Sequence, residues 1–232
     1  MTGYTTEDLS GTGSTFTIDP SVNLVGSAVA DGDWIVLTLS SAGDLSTTHQ
    51  PTAGAGWTNL VPFNTVGTGT TTFGVWTHQR ASGETTYTWN QTTIEANGLG
   101  IRMVFISGAD DVANWIIGTF QDRETSGTTV TTIAPSVTTT ADDSLGLCIA
   151  EERTLASETD PQVTCDNFTK QFFDEGINDH TIFVATKALT TAGSTGSVTV
   201  TYPNSHAKNG IAGIIGIPPV PPVTIALPWV YL

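Results

Sequence analysis

The sequence predicts an all-β protein, an antiparallel β-sandwich of jelly-roll-like kind ending in a Pro-rich apolar C-terminal arm. Three observations carry that expectation. Apolar residues alternate with Thr, Ser or Gly at period two, and nowhere recur at the three-and-four spacing of an amphipathic helix. The alternating runs are built from β-branched and aromatic residues, which fit a pleated, half-buried surface. Between them stand Gly-containing pairs that favour positive φ and therefore tight turns.

Along the chain the clearest runs are residues 34–40, 71–77, 85–89, 101–106, 144–150, 181–187, 197–202 and 210–217. Asp31-Gly32, Ser82-Gly83, Asn97-Gly98, Ser107-Gly108, Ser126-Gly127 and Asn209-Gly210 punctuate them. Residues 101–106 are apolar on both faces and belong in the middle of a sheet, whereas 71–77 alternate and call for one solvated face. The stretch 109–115 allows a single helical turn. Within the predicted core, Phe105 and Leu147 are expected to be buried.

The pattern divides the chain into an N-terminal segment (1–13), a single sandwich domain (14–217) and an arm (218–232). A chain of 232 residues buries about 70% of its unfolded surface, enough for a core without disulfides or metal. The two cysteines are too few for a disulfide framework, and Cys148, inside an apolar run, reads as a buried free thiol. The texture changes after Ile217. Pro218, Pro219, Pro221 and Pro222 make a stiff extended segment, followed by an apolar strip that includes Ile225, Leu227, Trp229 and Tyr231. The arm is expected to dock on its own domain or on a neighbouring subunit, and the prolines, expected to hold it away from the last strand, favour the second.

Charge excludes some functions. Seven Lys and Arg stand against 22 Asp and Glu, a formal net charge of -15 that repels phosphate backbones and rules out nucleic acid as a partner. Only 12% of residues are charged, yet 38% are hydrophobic, so the chain is not of disordered composition. Residues 1–10 have neither a basic nor an apolar signal-peptide region, so synthesis in a cytoplasm without a signal peptide is expected. The apolar stretch 211–232 contains five prolines, which no membrane-spanning helix tolerates.

The chemistry of catalysis is thinly represented. There is no Gly-x-Ser-x-Gly elbow, no CxxC and no pair of His at metal-ligand spacing; His49, His78, His180 and His206 are scattered singly. Asp110, Asp111, Glu151 and Glu152 are nominal glycosidase carboxylates, but any acidic β protein offers such residues, and solvated loop carboxylates are the simpler reading. Asp110-Asp111 and Asp142-Asp143 lack the spaced pattern of a calcium loop. No catalytic residue, metal ligand or cofactor is therefore assigned. Of six tryptophans, Trp34 and Trp76 lie in alternating strands and read as core. Trp57, after Gly54-Ala-Gly56, and Trp115, at the end of a polar loop, are the candidate glycan platforms, although plugging the end of the sandwich is the leading reading for both.

A resemblance emerges from the order of short motifs: Asp31-Gly-Asp-Trp34, Gly56-Trp57, Phe73-Gly-Val-Trp76, the hairpin 82–89 with its Gly83-Glu84 pair, Ile133-Ala-Pro-Ser-Val-Thr138 and Asp143-Ser-Leu-Gly-Leu147. Across about residues 14–217 this order resembles β-sandwich domains of phage and prophage virion proteins, with Thr85 where that family often has Pro. The resemblance implies a non-enzymatic protein of the virion surface: capsid decoration first, a minor tail or fibre location next. Its implied partners are major capsid or tail proteins and further copies of itself. A tail adhesin recognising host-surface glycan is the alternative, and a glycan hydrolase the second alternative. The shared motifs are framework and carry no functional residues over.

Overall fold

A computed structural model describes residues 3–9, 15–19, 25–26, 29–42, 56–66, 71–90, 99–124, 130–153, 162–175, 180–202 and 209–221. The strands of the N-terminal half are β1 (Gly3–Leu9), β2 (Thr15–Ile18), β3 (Val25–Gly26), β4 (Trp34–Ala42), β5 (Thr58–Val66), β6 (Thr71–Gln79), β7 (Tyr87–Asn90) and β8 (Leu99–Ile106). Those of the C-terminal half are β9 (Ile116–Ile117), β10 (Gln121–Glu124), β11 (Val130–Ala134), β12 (Ser144–Arg153), β13 (Thr164–Cys165), β14 (Thr169–Glu175), β15 (His180–Leu189), β16 (Val198–Tyr202) and β17 (Asn209–Ile217). Each of the eight predicted runs contains a strand, the one at 85–89 beginning only at Tyr87, and the single turn allowed at 109–115 is a 3-10 turn at Val112–Asn114.

The protein is all-β and every strand pair is antiparallel. The first sheet runs β3-β1-β8-β4-β6-β5 and the second β10-β17-β12-β15-β14, with β9 also on β17. A three-stranded sheet, β11-β16-β13, and the pair β2-β7 complete the set. The strands segregate by chain half, whereas a jelly roll passes repeatedly between its two sheets.

Alternation places the core. Trp34 and Val36 of β4, Phe73 and Val75 of β6 and Val104 and Ile106 of β8 meet Leu147 and Ile149 of β12, Ile182 and Val184 of β15 and Ile211 and Ile215 of β17. The opposite face of the second sheet is covered in turn. Cys148, Ala150, Phe183, Ala185, Ala212 and Ile214 pack against Ala134 of β11 and Val198, Val200 and Tyr202 of β16. The second sheet is thus the middle layer, which explains why its strands are apolar on both faces. The first sheet also buries its other face, where Ile35, Leu37, Leu39, Met103 and Phe105 have no exposed surface.

Some expectations change. The segment 1–13 is not outside the domain: β1 pairs with β8 along its whole length, from Gly3↔Phe105 to Leu9↔Leu99. Its Thr, Glu and Asp content concealed a strand whose place is set by its neighbours. Residues 72–77 have no solvated face, because Thr72 and Thr77 are buried with the apolar residues between them. The Thr77 hydroxyl is satisfied by donating to the Ile35 carbonyl at 2.9 Å. Gly32, Gly83 and Gly108 have the expected positive φ; Gly98 and Gly127 lie outside the described residues. Gly210 instead lies in β17, where a Cβ would collide with the Glu152 carboxylate.

Glycine also makes room at Gly213. The Phe120 ring lies across this position, and a Cβ would come within 2.7 Å of three ring carbons. The same ring tilts against Phe73 of the first sheet at 5.8 Å between centroids. Phe120 therefore bridges the two large sheets through a slot that the glycine leaves open.

Candidate functional site

The arm begins on the body of the protein. Beyond β17 the chain continues without a break: Pro219 forms an antiparallel bridge with Ala109. The Asp110 amide donates to the Pro218 carbonyl and the Val220 amide to the Gly108 carbonyl, each at 2.9 Å. Ala109 and Pro219 form a non-hydrogen-bonded pair, in which the bonds run through the flanking residues, so the N–H that proline lacks is not needed here. Pro218 is buried, and the chain reaches solvent at Val220, which is 53% exposed. The expected stand-off at Pro218 is thus corrected: residues 218–220 are held against their own domain. Pro222, Ile225, Leu227, Trp229 and Tyr231 lie outside the described residues.

The loop that receives the arm is itself braced. Gly108, at φ 69, turns the chain out of β8. The Asp110 carboxylate accepts from the Asp111 amide at 2.8 Å and from Asn114 Nδ2 at 2.7 Å. Asp111 caps the 3-10 turn by accepting from the Ala113 amide at 2.9 Å. Trp115 Nε1 donates to the Asp110 carbonyl at 3.0 Å, and its ring meets Trp34 edge-on at 5.3 Å. Trp115 is 6% exposed, so it is not a glycan platform. It anchors the arm-bearing loop to the core.

Beside this root lies a half-open cavity of about 170 Å³. Ile106, Ala109, Leu145, Ile217 and Pro219 give it apolar walls, and Asp143 and Ser107 add polar groups. Asp143 occupies the left-handed region, at φ 56, in the turn that opens β12; Asp is among the few residues that tolerate it.

Trp57 is half-buried and stacks on His78 at 5.1 Å, with Tyr87 edge-on to both rings. His78 pins this turn: Nδ1 contacts the Gly56 carbonyl at 3.0 Å and Nε2 the Glu84 carboxylate at 2.7 Å. A ring protonated at both nitrogens donates to both oxygens, while a neutral ring donates to one. Burial acts to raise the Glu84 pKa. The bond from His78, the Ala81 amide and the charges of His78 and Arg80 outweigh that effect and hold it below the usual carboxylate range. Burial, then the Glu84 charge, pushes the Tyr87 phenol up to about 12. Arg80 donates to the Glu84 and Val29 carbonyls and pairs with Asp31 at 3.3 Å. The polar groups around Trp57 are committed to holding loops together, which leaves the indole as the feature a sugar would meet.

The nominal acid pairs separate. Glu151 and Glu152 are buried neighbours on β12, and adjacent strand residues point to opposite faces. Glu152 accepts from the Thr132 hydroxyl at 2.8 Å. Asp142 accepts from the Ala192 amide at 2.8 Å. Among the described residues no group of three or more His, Cys, Asp or Glu is placed to hold a metal ion. Cys148 is a buried free thiol, its pKa raised by burial. Sequence reasoning missed Arg102, which is 1% exposed on the β8 face shared with Val104 and Ile106. Its signal was a lone charge inside an apolar run. The chain matches no family model, no curated protein and no solved structure.

Proposed function

We propose that this chain is a non-enzymatic structural protein of a bacteriophage virion surface, most simply a capsid decoration protein, assembling through its C-terminal arm. The observation that carries the reading is the arm root. An uncharged Pro-rich segment is fixed on a braced loop and delivered to solvent at Val220, ahead of an apolar strip. An apolar, uncharged segment that follows this root in a chain of net charge -15 is suited to contact with a partner surface. The motif order resembling virion β-sandwich domains supports the same setting.

The test is copy number in purified particles, by quantitative mass spectrometry. Hundreds of copies per particle are expected for decoration; a handful places the protein in the tail. Absence from the particles overturns the virion reading. A tail adhesin remains as a second reading on one observation, the half-exposed Trp57 at a turn. Quenching of its fluorescence by host-surface glycan, lost in Trp57→Ala, is the result that reading requires.

A further inference from the structure

We propose that His78 is a proton-operated clip for the turn that carries Trp57: its charged ring holds the Gly56 carbonyl and the Glu84 carboxylate together, and loss of the proton frees the turn and exposes the indole. The clip goes beyond both readings above, because it concerns when Trp57 is presented and not what it meets.

Hydrogen-bond arithmetic carries the inference. His78 Nδ1 lies 3.0 Å from the Gly56 carbonyl, and Nε2 lies 2.7 Å from Glu84 Oε2. A carbonyl oxygen can only accept, and so can an ionised carboxylate. Glu84 Oε2 also accepts from the Ala81 amide at 2.9 Å, and its lowered pKa keeps it ionised across the range in which imidazoles titrate. Only a ring protonated at both nitrogens therefore satisfies both oxygens. A neutral ring that donates to Glu84 turns its Nδ1 lone pair toward the Gly56 oxygen, and the other tautomer turns Nε2 toward the carboxylate. The second opposition involves a full charge, so the neutral ring keeps Glu84 and releases Gly56.

The turn is built for this contact. Gly56 sits at φ 87, and a Cβ there would stand 3.0 Å from His78 Cε1, so glycine lets the carbonyl reach the ring. The Trp57 indole stacks on the same ring at 5.1 Å, and a cation over an indole face is attracted to it. Deprotonation thus weakens two contacts of one turn together. The hairpin on the far side of the ring has its own ties: Arg80 Nε donates to the Glu84 carbonyl at 3.0 Å, and the Glu84 amide to the Ala81 carbonyl at 3.3 Å. The turn is accordingly the part that is freed.

Carboxylates, a guanidinium and a phenol surround the ring. The hairpin after β6 contributes Glu84 and Arg80, the latter paired with Asp31 at 3.3 Å. Asp33, before β4, accepts from the Ala30 amide at 2.8 Å. Tyr87 of β7, pushed up to about 12 by burial and then by the Glu84 charge, stays neutral. Asp19 follows Ile18, the β2 residue paired with Tyr87. β4 sets Ile35 opposite His78, and Thr58 and Asn59 of β5 do not titrate. Among these described groups only the imidazole is of a type that changes charge between about pH 5 and 8.

The experiment labels the full chain with 5-fluorotryptophan and 15N-histidine and follows both by NMR from about pH 5 to pH 9. Trp57→Phe assigns the indole signal and His78→Phe the imidazole signal, with circular dichroism and melting temperature checking that each folds. Broadening of the Trp57 signal by a neutral paramagnetic solute reads its exposure, which should rise about twofold as the face against His78 opens. The rise should share its midpoint with the titration of the His78 ring. It should move to lower pH in Glu84→Gln, which lacks the charge that favours the protonated ring, and vanish in His78→Phe. Exposure that stays constant while the ring titrates, that changes at a different midpoint, or that still changes with pH in His78→Phe overturns the proposal. So does a ring that keeps one charge state throughout. Should His78→Phe not fold, the shift in Glu84→Gln identifies the imidazole signal, and the coincidence of the two midpoints in the parent chain decides.

Discussion

Replacing Gly213 by Ala should destabilise the protein although it adds only one methyl group. Gly213 is paired with Ile149 of β12, while Ala212 beside it is paired with both Ala150 of β12 and Gln121 of β10. Backbone held from both sides cannot retreat from the Phe120 ring, three of whose carbons would lie within 2.7 Å of the new Cβ. The ring must move, and moving it disturbs the contact with Phe73. Overpacking typically costs about 1–3 kcal/mol, and an aromatic pair contributes about 0.5–1.5 kcal/mol. Against this, Ala is favoured over Gly inside a strand by about 0.5–1 kcal/mol. The expected net loss is about 1–3 kcal/mol. Phe120→Ala alone should cost about 2 kcal/mol, below the figure for a fully buried Phe because this ring is only partly buried. In the double variant the methyl group occupies vacated space, so the loss should be smaller than the sum by more than about 1 kcal/mol. Urea unfolding followed by tryptophan fluorescence measures all four corners, with an unchanged slope as the check that the transition stays two-state. Additivity within about 0.5 kcal/mol would refute the slot-and-plug account.

Other expectations follow from the same geometry. Phe105→Ala and Leu147→Ala, both at residues with no exposed surface, should each cost about 2–5 kcal/mol in the same assay; a loss under about 1 kcal/mol would contradict their core placement. Glu84 has a lowered pKa in the folded state, so its contribution is present above the unfolded carboxylate pKa and is lost as pH falls through the folded one. The stability difference between the parent chain and Glu84→Gln should therefore shrink on acidification; a difference independent of pH argues against the His78 contact. Because the Asp110 and Asp111 carboxylates are occupied by loop donors, EDTA should leave the melting temperature unchanged, and a fall of several degrees would show a bound cation.

The sequence was informative where a strand's own side chains determine its fate. Residues 101–106, 144–150, 181–187 and 210–217 are apolar enough to demand burial on both faces, and their strands occupy interior positions in the two large sheets. It was uninformative for β1, β10 and β14, whose Thr, Asp, Glu, Lys and Gln content resembles a loop. Those strands exist because β8, β17 and β15 present unpaired backbone edges, a property of the assembled sheet and not of the local pattern. The same distinction governs the candidate site. The prolines of the arm announced an extended segment, but its bridge to Ala109 depends on a loop more than a hundred residues earlier. Trp57 and Trp115 looked alike in the sequence, each near polar and glycine residues. Only the partner of each ring, His78 for one and Trp34 for the other, separates a half-exposed indole from a buried anchor.

The segregation of strands by chain half has a consequence for how the protein is made. Everything needed for the first sheet has left the ribosome once residue 106 is free, whereas its covering layer ends at Ile217, 217 − 106 = 111 residues later. At about 5–20 residues per second that interval is about 6–22 s, long compared with the microseconds in which hairpins form. Until β12, β15 and β17 have followed in turn, a nascent sheet would present Trp34, Val36, Phe73, Val75, Val104 and Ile106 with its cover incomplete. The growing chain is thus exposed to self-association between neighbouring ribosomes on one message, and to capture by chaperones, at a defined point midway through its synthesis. Pausing of translation just after that point should lower the yield of soluble protein far more than pausing near its end.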